Sequence, residues 1–502
     1  MAAMRRRSFL SLLAAAPLAA QMAQRAGFAE RDITPPVGAE QPGNYFKQIS
    51  KSLHDPCKVR AAVFDDGSAR LALIGVDALM VPRQLVKNAR AAIARRCGIP
   101  ASSVLIGASH THSGGPTGMV QPLEYDHAPA AIQELAYRLS SAADPAYLRT
   151  VENAIVEAVC AANERRAESR WGFGAGIEDK VLFNRRFRMK NGLTYTHPRQ
   201  GNPDIEEVAG PIDPAVTVTA AFDAQNRVMG CVVNYACHAT TNPPGISANW
   251  IYYMERALRG FFSEDLVVVF LAGFAGDVTQ VDNLSPVQAP AGGEQARLVG
   301  GSVGAEAAKV ILRMVPGAGG PLRSGVTVYP QARRAIEPGR LATAREIASQ
   351  PTDKTRTAQW VFAKEYVLYE AHRKKWPTLE VEVQALQIGP ALYVGAPGEM
   401  FTRFGLDLRR NSGFPLVNPV GLANGCVGYV PTPDALAAGG GGYEQRITSY
   451  TNLTADAGDR MVRAALELTR GWKPGPIPAR PPAGPFTGPW DYGSAGPESP
   501  PL

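Results

Sequence analysis

Seven histidines and six cysteines are all the soft-ligand chemistry that this 502-residue chain has. The cysteines (57, 97, 160, 231, 237 and 426) form no C-x-x-C pair, which argues against cysteine-rich zinc modules and thioredoxin-like redox motifs. Cys231 and Cys237 bracket one strand-like run. Six extended residues span ~20 Å, beyond disulfide reach, so most of these thiols read as small apolar packing groups. No Lys/Arg block tracks nucleic acid. The formal net charge of +7 keeps the protein soluble and is compatible with peripheral contact to an anionic membrane surface. Beyond the N-terminus no apolar run reaches the ~20 residues of a membrane-spanning helix. No internal repeat, Walker loop, dinucleotide fingerprint or G-x-S-x-G elbow is read, so those enzyme classes lose weight. Hydrophobic residues at 45% and charged residues at 19% exclude a disordered chain, a coiled coil and a collagen-like fibre. What is abundant is Gly (50) and Pro (41), which predicts many loops and turns.

The chain opens with MRRRSFLSLLAAAPLAAQ (4–21): a basic start, an apolar stretch and a small-residue end. This is the pattern of a secretory signal peptide over 1–20. Arg6-Arg7-Ser8-Phe9-Leu10 resembles its twin-arginine form, and the alternative is an uncleaved anchor. Twin-arginine substrates are exported folded, often with a cofactor in place, which hints at a metal. The expected location is periplasmic or secreted. A single catalytic body is expected over 25–472. From 473 to 502 the chain is a Pro/Gly-rich tail, disordered or draped over the surface.

The body reads as α/β: mixed sheets with helices around them. Strand pairs are expected at Lys58–Phe64 with Arg70–Val76, Val216–Phe222 with Val228–Ala236, and Leu379–Ile388 with Ala391–Gly395. Core strands are expected at Ser103–Ala108 and Leu266–Ala272. Helices are expected at Arg83–Arg96, Tyr147–Arg165, Glu294–Met314, Arg340–His372 (interrupted at Pro351) and Phe401–Asn411.

Polar clusters follow the apolar runs. SVLIGA leads into Ser109-His110-Thr111-His112, VVNYA into Cys237-His238, VVVFLAG into Gly276-Asp277-Val278-Thr279, and ALYVGA into Pro397-Gly398-Glu399. The carboxyl ends of α/β strands are where ligands bind, so the active site is expected there. Each cluster alone also has a structural reading. The histidines could bond backbone, Asp277 could sit in an ordinary turn, and Glu399 could cap the following helix. Together, two or three histidines and one carboxylate with an open position are the composition of a catalytic zinc site.

These segments resemble neutral ceramidases. GASHTHSGG is similar to that family's THTHSGPGG, AGDVT to GDVSPN, APGEMFTRFG to PGEFT, and NGCVGYVPTPDALAAGGGGYE to YVTTYEEYQAQRYE. NYACHAT stands where the family has its second zinc histidine, and RDITPPVG and HDPCKVRAAVFDDG resemble its opening strands. The resemblance runs in the family's order from Gly27 to Trp472. It implies a Zn2+ ion held by His110, His238, Glu399 and Tyr429. It places His112 beside the reacting water and Arg185 and Tyr443 at the oxyanion, with Thr279 where the family has serine. The chain departs from the family at Thr279-Gln280-Val281 (Ser-Pro-Asn there), at Asn249 (Asp there) and in an inserted Gly439–Gly442 run. Nothing strand-rich follows Trp472, so the family's immunoglobulin-like domain is expected to be missing. The implied activity is zinc-dependent hydrolysis of the N-acyl bond of ceramide or a related lipid. The alternatives are a zinc amidase or esterase for another acyl substrate, and a non-catalytic secreted binding protein. No nucleic acid or protein partner is implied.

Overall fold

A computed structural model describes residues 24–351, 357–485 and 487. The export-signal reading over 1–20 and the far end of the tail lie outside these residues.

Three sheets carry the fold, each with an antiparallel part and one parallel pair. The first runs Val104–Ala108, Arg70–Val76, Lys58–Asp65, Arg25–Asp32 and Ala167–Glu168. The second runs Val267–Ala272, Val228–Tyr235, Ala215–Phe222 and Arg170–Ile177. The third runs Leu322–Ala332, Thr378–Ile388, Ala391–Gly395 and Leu416–Val420. Their inner faces meet in one core, where Phe64, Leu73 and Leu105 join Val232, Leu271, Leu386, Tyr393 and Val420. Each outer face is covered by helices. Arg83–Cys97 and Pro145–Glu164 pack on the first sheet, Trp250–Phe261 and Gly292–Arg313 on the second, and Thr402–Asn411 and Ala457–Leu468 on the third. Leu71 and Leu73 face the shared core while Ala72 and Ile74 face the helices. With both faces buried, such strands read as continuous apolar runs rather than alternating ones. That is why the sequence showed them.

Each expected hairpin is present as an antiparallel pair. The helix expected over Arg340–His372 is two helices, Pro338–Ala348 and Ala358–Lys375. Among the elements that the sequence patterns did not mark are Trp250–Phe261, Leu322–Ala332, Leu416–Val420 and Ala457–Leu468. Leu322–Ala332 carries Arg, Ser, Gly and Pro and has mostly part-exposed positions, which hides its strand pattern. Cys97 and Cys160 form a disulfide, their Cα atoms 5.9 Å apart where two helices pack on the first sheet. The other four thiols are free, three of them fully buried. The described part of the tail lies on the surface: Lys473 and Gly475 bond Gln387 and Gly389, and Pro478 covers Gly317.

A candidate metal centre at three strand ends

The parallel pair of each sheet ends at the same place. In the first sheet Arg70–Val76 runs parallel to Val104–Ala108, after which Ser109 leads to His110. In the second, Val228–Tyr235 runs parallel to Val267–Ala272, and His238 follows. In the third, Ala391–Gly395 runs parallel to Leu416–Val420, and Glu399 follows. Backbone bonds stitch the ends together: Ala108 donates to Leu422 (3.3 Å), Gly421 to Ala272 (2.9 Å) and Gly276 to Met400 (2.8 Å). His110 itself sits at φ 63, a left-handed conformation that costs a non-glycine residue free energy and is typical of functional sites.

The three side chains converge. His110 Nε2 lies 3.2 Å from His238 Nε2 and 3.0 Å from Glu399 Oε2, and His238 Nε2 lies 3.2 Å from the same oxygen. Both Nδ1 atoms face backbone carbonyls, His110 on Leu79 and His238 on Ala275, each at 2.9 Å. A carbonyl only accepts, so each Nδ1 carries a proton, and a neutral ring held in this way presents its Nε2 as a metal ligand. Glu399 Oε2 is buried, and its close polar contacts are these two imidazole nitrogens. Three metal-ligating atoms are thus turned on one another in a closed interior, an arrangement that a bound metal cation would satisfy. Ligands ~2.0–2.1 Å from a tetrahedral zinc stand ~3.3 Å apart, close to the spacings here.

Burial pushes the Glu399 carboxyl up, but the facing imidazoles outweigh it and hold the group well below the usual carboxylate range. Burial, then Arg185, brings His238 down to about 4. Burial, then His110, holds His112 well below the ordinary imidazole value. His238 and His112 are therefore neutral at pH 7. Tyr450 donates to Glu399 Oε1 (2.9 Å), which turns Oε2 toward the histidines. Glu399 does not cap the helix Thr402–Asn411. Asp277 does that instead, accepting from the Thr402 N–H and hydroxyl at 2.8 Å each.

His112 is the third imidazole, its Nε2 3.2 Å from that of His110, and His110, His112 and His238 together form a group able to hold a metal ion. Gly43 (φ 118) lies so close to the His112 ring that a Cβ would strike Nδ1. Tyr429 is the register partner of Glu399 in a short parallel pair, and its hydroxyl is 2.7 Å from that of Tyr443. Arg185 joins the groups. Its Nε donates to Glu444 (2.9 Å), its Nη2 to Gly276 O (2.8 Å) and Tyr429 (3.2 Å), and its Nη1 points at His238 Nε2 (3.5 Å). Burial holds both phenols protonated, Tyr443 pushed up to about 12. Thr279 is buried on a two-residue strand, and its hydroxyl donates to Gln280 (3.2 Å) rather than to a histidine. Asn249 caps the helix Trp250–Phe261.

Tyr450 and Glu444 were not found in the sequence. Glu444 adjoins Tyr443, but nothing in its spacing marks it as fully buried. Gly300-Gly301-Ser302-Val303-Gly304 satisfies G-x-S-x-G, yet it lies inside the helix Gly292–Arg313. A nucleophile elbow is a strand-to-helix turn. Here the glycines allow close packing, since a Cβ at Gly300 would strike the Trp250 carbonyl.

This is a mixed-sheet α/β fold with a metal-type side-chain cluster at its strand ends. No family model matches the chain, and neither does any curated protein sequence. Solved structures do. The chain is similar to a ceramidase complexed with C2, at TM-score 0.67 and 20% identity, covering 92% of this chain and 77% of that one. It is also similar to the neutral ceramidase from Pseudomonas aeruginosa, at TM-score 0.65 and 20% identity with the same coverage. The chain has the neutral ceramidase fold.

Proposed function

We propose that this protein is an exported, zinc-dependent amidohydrolase that cleaves the N-acyl bond of ceramide or a related N-acyl lipid, releasing a sphingoid base and a fatty acid. One observation carries the reading: in a ceramidase fold, two imidazole nitrogens and a buried carboxylate oxygen converge at 3.0–3.2 Å at three strand ends. His110, His238 and Glu399 would hold the metal, with Tyr429 as fourth ligand. Held there, zinc supplies Lewis acidity and activates water near neutral pH. His112, neutral and beside His110, takes the proton of the attacking water and returns it to the leaving amine. Arg185 has its Nε and Nη2 tied to Glu444, Gly276 and Tyr429. Its Nη1, which points at His238 Nε2 at 3.5 Å, is the nitrogen that would meet the charge developing on the acyl oxygen, beside the Tyr443 hydroxyl.

Export rests on the Arg6-Arg7 pattern, and the Cys97–Cys160 disulfide supports it, since such bonds persist in oxidising compartments. Replacing Arg6 and Arg7 with Lys should abolish periplasmic accumulation, and undiminished export would refute the twin-arginine route. The activity is tested by fatty-acid release from ceramide by zinc-replete protein, with and without chelator, beside short acyl amides and esters. Chelator-sensitive release from ceramide is expected. Turnover of the short substrates alone would transfer the chemistry to a non-sphingolipid acyl compound. Full activity in zinc-free protein would refute the mechanism.

A further inference from the structure

Behind the metal centre lies a second cavity, of about 530 Å³, within the ~300–1,000 Å³ usual for small-molecule sites. It lies on the far side of two of the candidate ligands. Its lining includes Met80, next to the Leu79 carbonyl that holds His110 Nδ1, and Tyr450, which bonds Glu399 through Oε1. The Nε2 and Oε2 atoms that converge in the centre are the opposite ends of those groups. The cavity has apolar walls from Met80, Leu85, Leu148, Leu379 and Val427, and exposed Leu123 and Arg149 border it.

One buried cation lines this space. Arg333 is only 5% exposed. Its Nη1 is held by His372 Nδ1 at 2.8 Å, and its Nε has no hydrogen-bond partner. The acid of this array, Glu124, sits on the other nitrogen of His372 (3.1 Å) and makes no direct pair with Arg333. Burial raises Glu124 to about 7, so it is a weak counter-charge at neutral pH. Of the other charges on the lining, Arg83 pairs with Glu380 and Glu382, Glu152 accepts from Asn88, and Arg149 is exposed at the rim. A buried guanidinium without a paired anion is costly, and the group that relieves it inside apolar walls is a single negative charge on an apolar tail.

We propose that this cavity is a binding site for a monocarboxylate amphiphile, its head group on Arg333 and its tail along Met80, Leu148, Leu379 and Val427. The inference does not depend on the hydrolase reading. Calorimetric titration with octanoate and octylamine tests it on the full chain. Octanoate should occupy one site in wild type and bind unchanged in His110→Ala, which disables the metal centre. Octylamine should bind at least tenfold more weakly. Arg333→Gln should weaken octanoate at least tenfold. Leu148→Trp, which fills the cavity and leaves Arg333 in place, should do the same, so the site remains testable if the arginine variant misfolds. Equal binding of the amine, no octanoate binding, or octanoate binding lost in His110→Ala and kept in Arg333→Gln would each overturn the proposal.

Discussion

The two sides of the candidate centre are built differently. On the ligand side, His110, His238 and Glu399 closely follow buried strands, and each imidazole is oriented by a main-chain carbonyl. On the facing side, Arg185 sits in the break between Phe183–Asn184 and Arg186–Met189, Tyr429 on a two-residue strand, and Tyr443 and Glu444 on one helical turn, and they hold one another largely through side chains. The ligand side is thus fixed by sheet topology, and the facing side by a buried ion pair whose partners are 3% and 0% exposed. Losses on the ligand side should remove the metal. Losses on the facing side should spare the metal and reduce turnover.

The largest effect tests the first half of that contrast. His238→Ala removes one of three converging groups and leaves Glu399 Oε2 facing fewer partners. Zinc content should fall from about one per chain to nearly none, and turnover by roughly a thousandfold or more, ~4 kcal/mol. Metal analysis of the purified variant is the check, and a full complement of zinc would mean that these residues are not the ligands.

Glu444→Gln comes next, on the other side. It leaves the Arg185 guanidinium buried with its anionic partner gone, a change that typically costs about 3–5 kcal/mol of stability. Arg185 should also lose its aim, with turnover down about a hundredfold, ~2.7 kcal/mol. Zinc content should not change. Zinc loss equal to that of His238→Ala would erase the distinction between the two sides.

The same contrast decides what could be read from sequence. His110, His238 and Glu399 stood out because strands buried on both faces are unbroken apolar runs, and the polar residue after each run is conspicuous. Tyr429, Tyr443 and Arg185 came only through family resemblance, since no periodicity marks a two-residue strand. Glu444 and Tyr450 are far from their partners in sequence, 259 residues from Arg185 and 51 from Glu399, and have no motif of their own. Cys97 and Cys160 are 63 residues apart. They meet only because two helices pack on one sheet, which spacing cannot reveal. Asp277 was weighed as a turn residue and proves to be a helix cap, a role that short-range pattern cannot separate from a ligand.

Tyr450→Phe probes the boundary between the sides. The hydroxyl contacts only the outer oxygen of Glu399 and the Cys426 thiol (3.3 Å). Its removal frees the carboxylate to rotate without deleting a ligand. Outer partners of metal ligands are worth about 10–100-fold in metal affinity. Competition against a chelator should show a loss in that range, with near-normal turnover once zinc is saturating. Unchanged affinity would mean that packing alone orients Glu399.

The smallest effect concerns Thr279. If this residue were a covalent nucleophile, Thr279→Ala would be as inactive as His238→Ala. A hydroxyl nucleophile needs an adjacent general base. Here the hydroxyl donates to Gln280 Oε1, and that amide reaches Thr240, two residues beyond His238. The chain of contacts leads to the loop that carries a ligand, not to a basic nitrogen. Thr279 thus belongs with residues that set the position of a ligand-bearing loop. Losing one neutral hydrogen bond of this kind costs about 0.5–1.5 kcal/mol, which limits the fall in turnover to about tenfold. Thr279→Ser keeps the donor and should be close to wild type. Steady-state rates for the two variants at saturating zinc measure this, together with mass spectrometry of protein quenched during turnover. An acyl group trapped on Thr279, or an alanine variant without activity, would move the nucleophile from water to the protein.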